Sequence, residues 1–160
     1  MRIHQWCGDY RLKIGFDIDG VLGTQNQIDI SCAKDDPDLE KLYYATVKPQ
    51  FHPGIFMAED DEGYLITARK EDLWDITVRW CKKYFPQYQL IQVPVKPWVT
   101  ARERGEWRGI IAEAKSTVIN HLKLDVYFED MPETVQRLRK LCSNTKIIQF
   151  GGELDGSFPV

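Results

Sequence analysis

Short apolar runs alternate with stretches of helical period along this chain, and that order leaves it few ways to fold. Lys13–Asp17, Tyr64–Thr67, Gln89–Val93, Leu124–Phe128 and Lys146–Phe150 read as strands. Between them, Asp38–Val47, Glu71–Phe85, Ile110–Leu122 and Pro132–Cys142 read as helices. Leu39, Leu42, Tyr43 and Thr46 recur at helical spacing in the first. Leu73, Ile76, Trp80 and Tyr84 do so in the second, and Val135, Leu138 and Leu141 in the last. Pro37 suits a helix start, while Pro49 and Pro86 mark helix ends. Such alternation predicts an α/β fold: a three-layer, Rossmann-like parallel sheet with helices on both faces. Sheets of this kind carry their chemistry at the carboxyl ends of the strands.

At 160 residues the chain predicts a single domain. A small flap and helix insertion is expected at about 23–50, and a loose C-terminal tail at 151–160. The net charge of −3 excludes an overall basic coat for nucleic acid but not a local patch. No apolar run reaches the roughly 18–20 residues of a membrane span, and no signal-peptide core opens the sequence. A cytoplasmic protein with no membrane partner is expected. Cys7, Cys32, Cys81 and Cys142 form no CxxC and no zinc-like spacing with histidine, so reduced thiols are expected.

The chemistry gathers at predicted strand ends. Asp17-Ile-Asp19-Gly20 closes the first strand, and residues two apart in an extended segment project to one side. Gly20 permits a sharp turn there. Two carboxylates facing one pocket resist ionising together, so one keeps a proton or a cation joins them. Thr67 ends the second strand and offers a hydroxyl and an N–H. Lys115 lies in the helix before the fourth strand, and Glu129 and Asp130 follow that strand. Four acids around one point call for a hard divalent cation, Mg²⁺ fitting best, and Lys115 adds fixed positive charge for an anionic substrate.

The order Asp17-x-Asp19-Gly20-Val21-Leu22, Leu65-Ile66-Thr67, Lys115 and Phe128-Glu129-Asp130 resembles the haloacid dehalogenase superfamily of phosphotransferases. The resemblance runs from about Ile14 to Phe150. It implies that Asp17 attacks phosphorus to form an aspartyl-phosphate and that Asp19 serves as general acid and then base. Thr67, Ala68 and Lys115 would bind the phosphate. Asp17, Asp19 through its backbone carbonyl, Glu129 and Asp130 would hold Mg²⁺. An acid at position 19 is a feature of the family's phosphatases and is missing from its dehalogenases. Ile66-Thr-Ala-Arg69, followed by Thr77 and Trp80, is similar to nucleotidase-like members; a plain packing face accounts for Thr77 and Trp80 equally well.

Neither the stretch between Asp19 and Thr67 nor that between Thr67 and Lys115 has room for a full cap domain. The chain therefore resembles a capless or minimally capped member. An open site suits a large substrate, or one closed off by a second subunit in a homo-oligomer. The segment Pro94–Gly109 reads as a loop bearing Trp98, Arg102 and Arg104. With Arg69, these residues are candidates to touch a nucleotide or a nucleic-acid end. Against that, Glu103 and Glu106 offset the loop's charge, and Arg69 has Glu71 and Asp72 as alternative partners.

The expected activity is Mg²⁺-dependent hydrolysis of a small phosphomonoester, with nucleotides among the substrates. Its first competitor is a phosphatase for 3′ or 5′ ends of nucleic acid. The second is a non-catalytic Mg²⁺- or phosphate-binding module, or a phospho-acceptor module.

Overall fold

The computed structural model describes residues 10–24, 36–94 and 107–150. The expected contacts Trp98, Arg102 and Arg104, the tail 151–160 and part of the 23–50 insertion lie outside these residues, as do Cys7 and Cys32. The elements run β1 (Lys13–Asp17), α1 (Pro37–Thr46), β2 (Glu62–Thr67), α2 (Trp74–Tyr84), β3 (Gln89–Gln92), α3 (Trp107–Leu122), β4 (Val126–Glu129), α4 (Pro132–Leu141) and β5 (Lys146–Gln149). The five strands form one sheet in the order β3-β2-β1-β4-β5, with every pairing parallel. This is the expected α/β architecture. The chain reverses its direction across the sheet between β1 and β4, which makes their carboxyl ends the natural place for a site.

Alternation along the strands sorts the core into two layers. Ile14, Phe16 and Leu65 pack with Tyr43, Val47, Trp80 and Phe85 on the α1–α2 side. Tyr64, Ile66 and Tyr127 pack with Ile119, Leu124, Val135 and Leu138 on the α3–α4 side. Phe16 stacks on Phe128 across the β1–β4 pair, with ring centroids 4.9 Å apart. Full burial of side chains this size stabilises the fold by roughly 2–3 kcal/mol each. Cys81 and Cys142 are buried free thiols.

Several element faces and bounds differ from the expectation. In α1, Leu39 and Leu42 are exposed, whereas Glu40 and Tyr43 are buried. The period is helical, but the buried face is set by an ion pair: Lys70 Nζ lies 3.0 Å from both carboxylate oxygens of Glu40. Asp36 caps this helix, accepting from the N–H groups of Asp38 and Leu39. Residues 71–73 form a separate 3₁₀ turn ahead of α2. Leu141 is exposed and Cys142 is buried in its place. α3 begins at Trp107, so the last residues of the predicted loop are helical. Gly109 lies within this first turn, and a Cβ on it would lie 2.4 Å from Arg137 Nη1. The Arg137 guanidinium lies against α3 at this glycine.

Candidate functional site at the carboxyl edge of the sheet

Asp17, Thr67 and Glu129 are the last residues of β1, β2 and β4. Asp17 shares the pleat of Gly15, which faces Leu124 and Tyr127 on the α3–α4 side. Its carboxylate therefore meets α3: Lys115 Nζ lies 2.9 Å from Asp17 Oδ1 and donates to Glu129 Oε2 at 2.7 Å. The other Glu129 oxygen accepts from the Met131 N–H at 3.4 Å. Tyr127 closes the bottom, with Lys115 Nζ 5.9 Å from its ring centroid.

Asp17, Glu129 and Asp130 are all buried, and one carboxylate oxygen from each lies within 4.8 Å of the others. The chain approaches Asp130 through Gly20, whose φ of 81° is left-handed. A Cβ there would sit 2.0 Å from Asp130 Oδ2. Only glycine gives both the turn and the close approach.

The charges in this pocket do not balance. Burial raises the Asp17 pKa well above the usual carboxylate range; Lys115 opposes this, and Glu129 and Asp130 add to it. Burial, reinforced by Glu129, pushes Asp130 up to about 7. Burial disfavours the Lys115 ammonium, but Asp17 and Glu129 outweigh it and raise its pKa well above the ordinary value. Three carboxylates thus share one ammonium. An all-oxygen donor set with surplus negative charge could hold a hard metal ion, and the chemistry of these residues fits one.

Asp19 does not join this cluster through its carboxylate. β1 stops at Asp17 and a turn begins at Ile18, so the rule for residues two apart in a strand lapses. Leu22 and Gly23 donate their N–H groups to the Ile18 carbonyl at 3.0 and 2.8 Å, and Gly20 donates to Gly23 at 3.1 Å. The Asp19 carboxylate turns instead toward Arg69. Nε donates to Oδ2 at 2.9 Å and Nη2 to Oδ1 at 2.5 Å. Three carboxylates, not four, surround one point among the described residues.

Arg69 is buried, and its guanidinium bonds to Asp19 and Thr77 in place of Glu71 and Asp72. Nη1 donates to Thr77 Oγ1 at 3.2 Å, and the guanidinium carbon lies 4.5 Å from the Tyr44 ring centroid. Trp80 donates its indole N–H to the Val47 carbonyl at 2.7 Å. Thr77 and Trp80 thus belong to the packing face of α2. Thr67 Oγ1 accepts from the Arg69 N–H at 3.2 Å, and half-buried Ala68 lies between them. The Arg69–Thr77–Tyr44 contacts were not legible beforehand. The period of α1 put Tyr43 on its stripe, and for Tyr44 the residues offered only ordinary packing or closure over the pocket.

Neither a family model nor a curated protein matches this sequence. Among solved structures, the chain is similar to one in "Structure of the Pnkp1/Rnl/Hen1 RNA repair complex". The TM-score is 0.61 and the identity 15%, over 88% of this chain and 43% of that one. The likeness is one of fold. This chain spans less than half the length of that neighbour. No helix among the described residues is long and apolar enough to cross a membrane.

Proposed function

We propose that this chain is a Mg²⁺-dependent phosphomonoester hydrolase of the haloacid dehalogenase type, acting through an aspartyl-phosphate on Asp17. One observation carries the reading. The Asp17 carboxylate sits 2.9 Å from a buried ammonium, inside a ring of acids that suits a hard cation. A buried carboxylate held by Lys115 is oriented to attack and cannot drift toward solvent.

An oxygen of Asp17 attacks phosphorus, and the bond from phosphorus to the ester oxygen breaks. Asp19, having first taken a proton from solvent on its exposed side, gives that proton to the departing oxygen. Asp19 then takes a proton from water, whose oxygen attacks phosphorus and frees Asp17 and inorganic phosphate. The Thr67 hydroxyl, the Ala68 N–H and Lys115 hold the phosphoryl oxygens, where charge is spread in the transition state. Mg²⁺, when bound, would offset that charge. Asp17, Asp130 and the Asp19 carbonyl are the ligands the reading assigns to it. Both carboxylate oxygens of Glu129 are engaged, by Lys115 and by the Met131 N–H. Glu129 is thereby suited to anchor Lys115 while adding its charge to the pocket.

A second reading makes the ester the phosphorylated end of a nucleic-acid strand. The occurrence of a fold neighbour in an RNA repair complex favours it. Turnover of mononucleotides against 3′- and 5′-phosphorylated oligonucleotides separates the two, with Asp17→Asn as the blank. Preference for mononucleotides supports the first reading. Preference for oligonucleotides moves the substrate to strand ends. Hydrolysis that survives Asp17→Asn, or that ignores chelation of Mg²⁺, contradicts both.

A further inference from the structure

We propose that Arg69 is the positioning residue for Asp19, braced from α1 and α2, and that it does not bind substrate. This rests on the phosphatase reading above. The Arg69 side chain is 1% exposed, and all three of its nitrogens are bonded: Nε and Nη2 to Asp19, Nη1 to Thr77. The flat face of the guanidinium is covered by Tyr44, 4.5 Å away, and Trp80 lies 6.0 Å from the same carbon. Three of its five N–H groups are engaged in this way, and burial keeps the other two from a phosphate arriving from solvent.

Arg69 is also held through its backbone. Its N–H donates to Thr67 Oγ1 at 3.2 Å, and its carbonyl accepts from Gln92 Nε2 at 2.9 Å. Thr77 is fixed in turn, because its hydroxyl donates to the Leu73 carbonyl at 2.9 Å. Its lone pair is then free to face Nη1. The neighbouring residue repeats the tie to α1: Lys70 pairs with buried Glu40, as Arg69 stacks on Tyr44. Two successive residues after β2 thus grip the same helix.

Asp19 is the mirror image. Its side chain is 37% exposed, open on one side and clamped on the other. A two-point contact with a planar guanidinium fixes both the place and the plane of a carboxylate, which one ammonium cannot do. Among the described residues, Arg69 is the hydrogen-bond partner of the Asp19 side chain. Arg69 therefore matters for the step in which Asp19 hands a proton to the departing oxygen. It should matter little when that oxygen needs no proton.

The test compares kcat/KM for phenyl phosphate and 4-nitrophenyl phosphate, since this ratio reports events up to departure of the leaving group. Arg69→Lys keeps the charge and removes the fork. The expected result is a fall of about 100-fold on phenyl phosphate and of less than about 5-fold on 4-nitrophenyl phosphate. Added to Asp19→Asn, Arg69→Lys should cause almost no further loss. Thr77→Val and Tyr44→Leu leave Arg69 in place but loosen it. They should show the same leaving-group bias, with losses of roughly 3–10-fold on phenyl phosphate, and they serve if Arg69→Lys does not fold. Equal losses on both esters, or additive losses with Asp19→Asn, overturn the proposal and make Arg69 a substrate or structural residue. A wild-type protein inactive on 4-nitrophenyl phosphate with Mg²⁺, or an active Asp17→Asn, instead fails the phosphatase reading itself and removes the role of Arg69 with it.

Discussion

Asp17 and Asp19 stand two residues apart, yet the chain builds a different environment for each. The Asp17 side chain is 9% exposed and sits on the α3–α4 side, where Lys115 serves two of three buried acids. The Asp19 side chain is 37% exposed and sits on the α1–α2 side, where Arg69 is its ion-pair partner among the described residues. The first arrangement is overcharged and sealed. The second is balanced and half-open. A group that attacks must be fixed and desolvated, whereas a group that passes protons needs access to substrate and water. The turn at Ile18–Gly23 separates the two by ending the strand between them.

The largest effects should fall on the sealed side. Asp17→Asn should lower Mg²⁺-dependent phosphatase activity about 10⁴-fold or more. It should leave the melting temperature unchanged or raised, because it removes one of three crowded acids; a large drop in stability would contradict the overcharged picture. Lys115→Met should abolish activity and also cost about 3–5 kcal/mol in urea denaturation, since it strands Asp17 and Glu129 without a cation. Combining it with Asp17→Asn should recover part of that stability.

These pairings show what could be read in the residues and what could not. The acids at strand ends were legible because a buried parallel strand is apolar until it leaves the sheet, and Asp17 and Glu129 mark that point. Lys115 was legible because it is the one Lys or Arg within the helix read at Ile110–Leu122, just ahead of the fourth strand. The partner of Arg69 was not, because Glu71 and Asp72 are nearer in sequence and nothing local reveals a bond to Asp19, 50 residues away. The buried face of α1 was misassigned because Leu39 and Leu42 fit the apolar rule, whereas Glu40 is buried through its pairing with Lys70. The first turn of α3 was missed because Pro94, Pro97 and Gly105 extend a loop-like composition up to its start, while the helical period shows only from Ile110.

An intermediate effect lies at the seam between the two sides. Gly20→Ala places a Cβ against Asp130 in a left-handed backbone, for a cost of about 1–2 kcal/mol before the collision is counted. Its sharper signature is weaker Mg²⁺ affinity by calorimetry, with Asp19 chemistry on pre-loaded enzyme less affected. Unchanged Mg²⁺ affinity would remove Asp130 from the cation site.

Proton linkage gives a smaller effect with a definite sign. The Asp130 pKa is raised from 3.8 to about 7 in the fold, so the native state binds more protons than the unfolded state across that window. Stability of the metal-free protein should fall as pH rises toward and through 7, by about 5 °C in melting temperature. Asp130→Asn should flatten the slope, and so should Mg²⁺, by replacing the proton. A rise in stability over the same range would reverse the assignment. Smallest of all, Glu40→Gln on the α1–α2 side should cost about 1 kcal/mol and leave Mg²⁺ binding untouched.

The most direct measurement is chemical. The protein is mixed with a phosphate-labelled monoester and Mg²⁺, quenched in acid within one turnover, and the peptides are mapped by mass spectrometry. The expected result is an acid-stable, hydroxylamine-sensitive phosphoryl group on Asp17, absent without Mg²⁺ and absent in Asp17→Asn. Turnover with no label on the protein, or with the label on a residue other than Asp17, would contradict it.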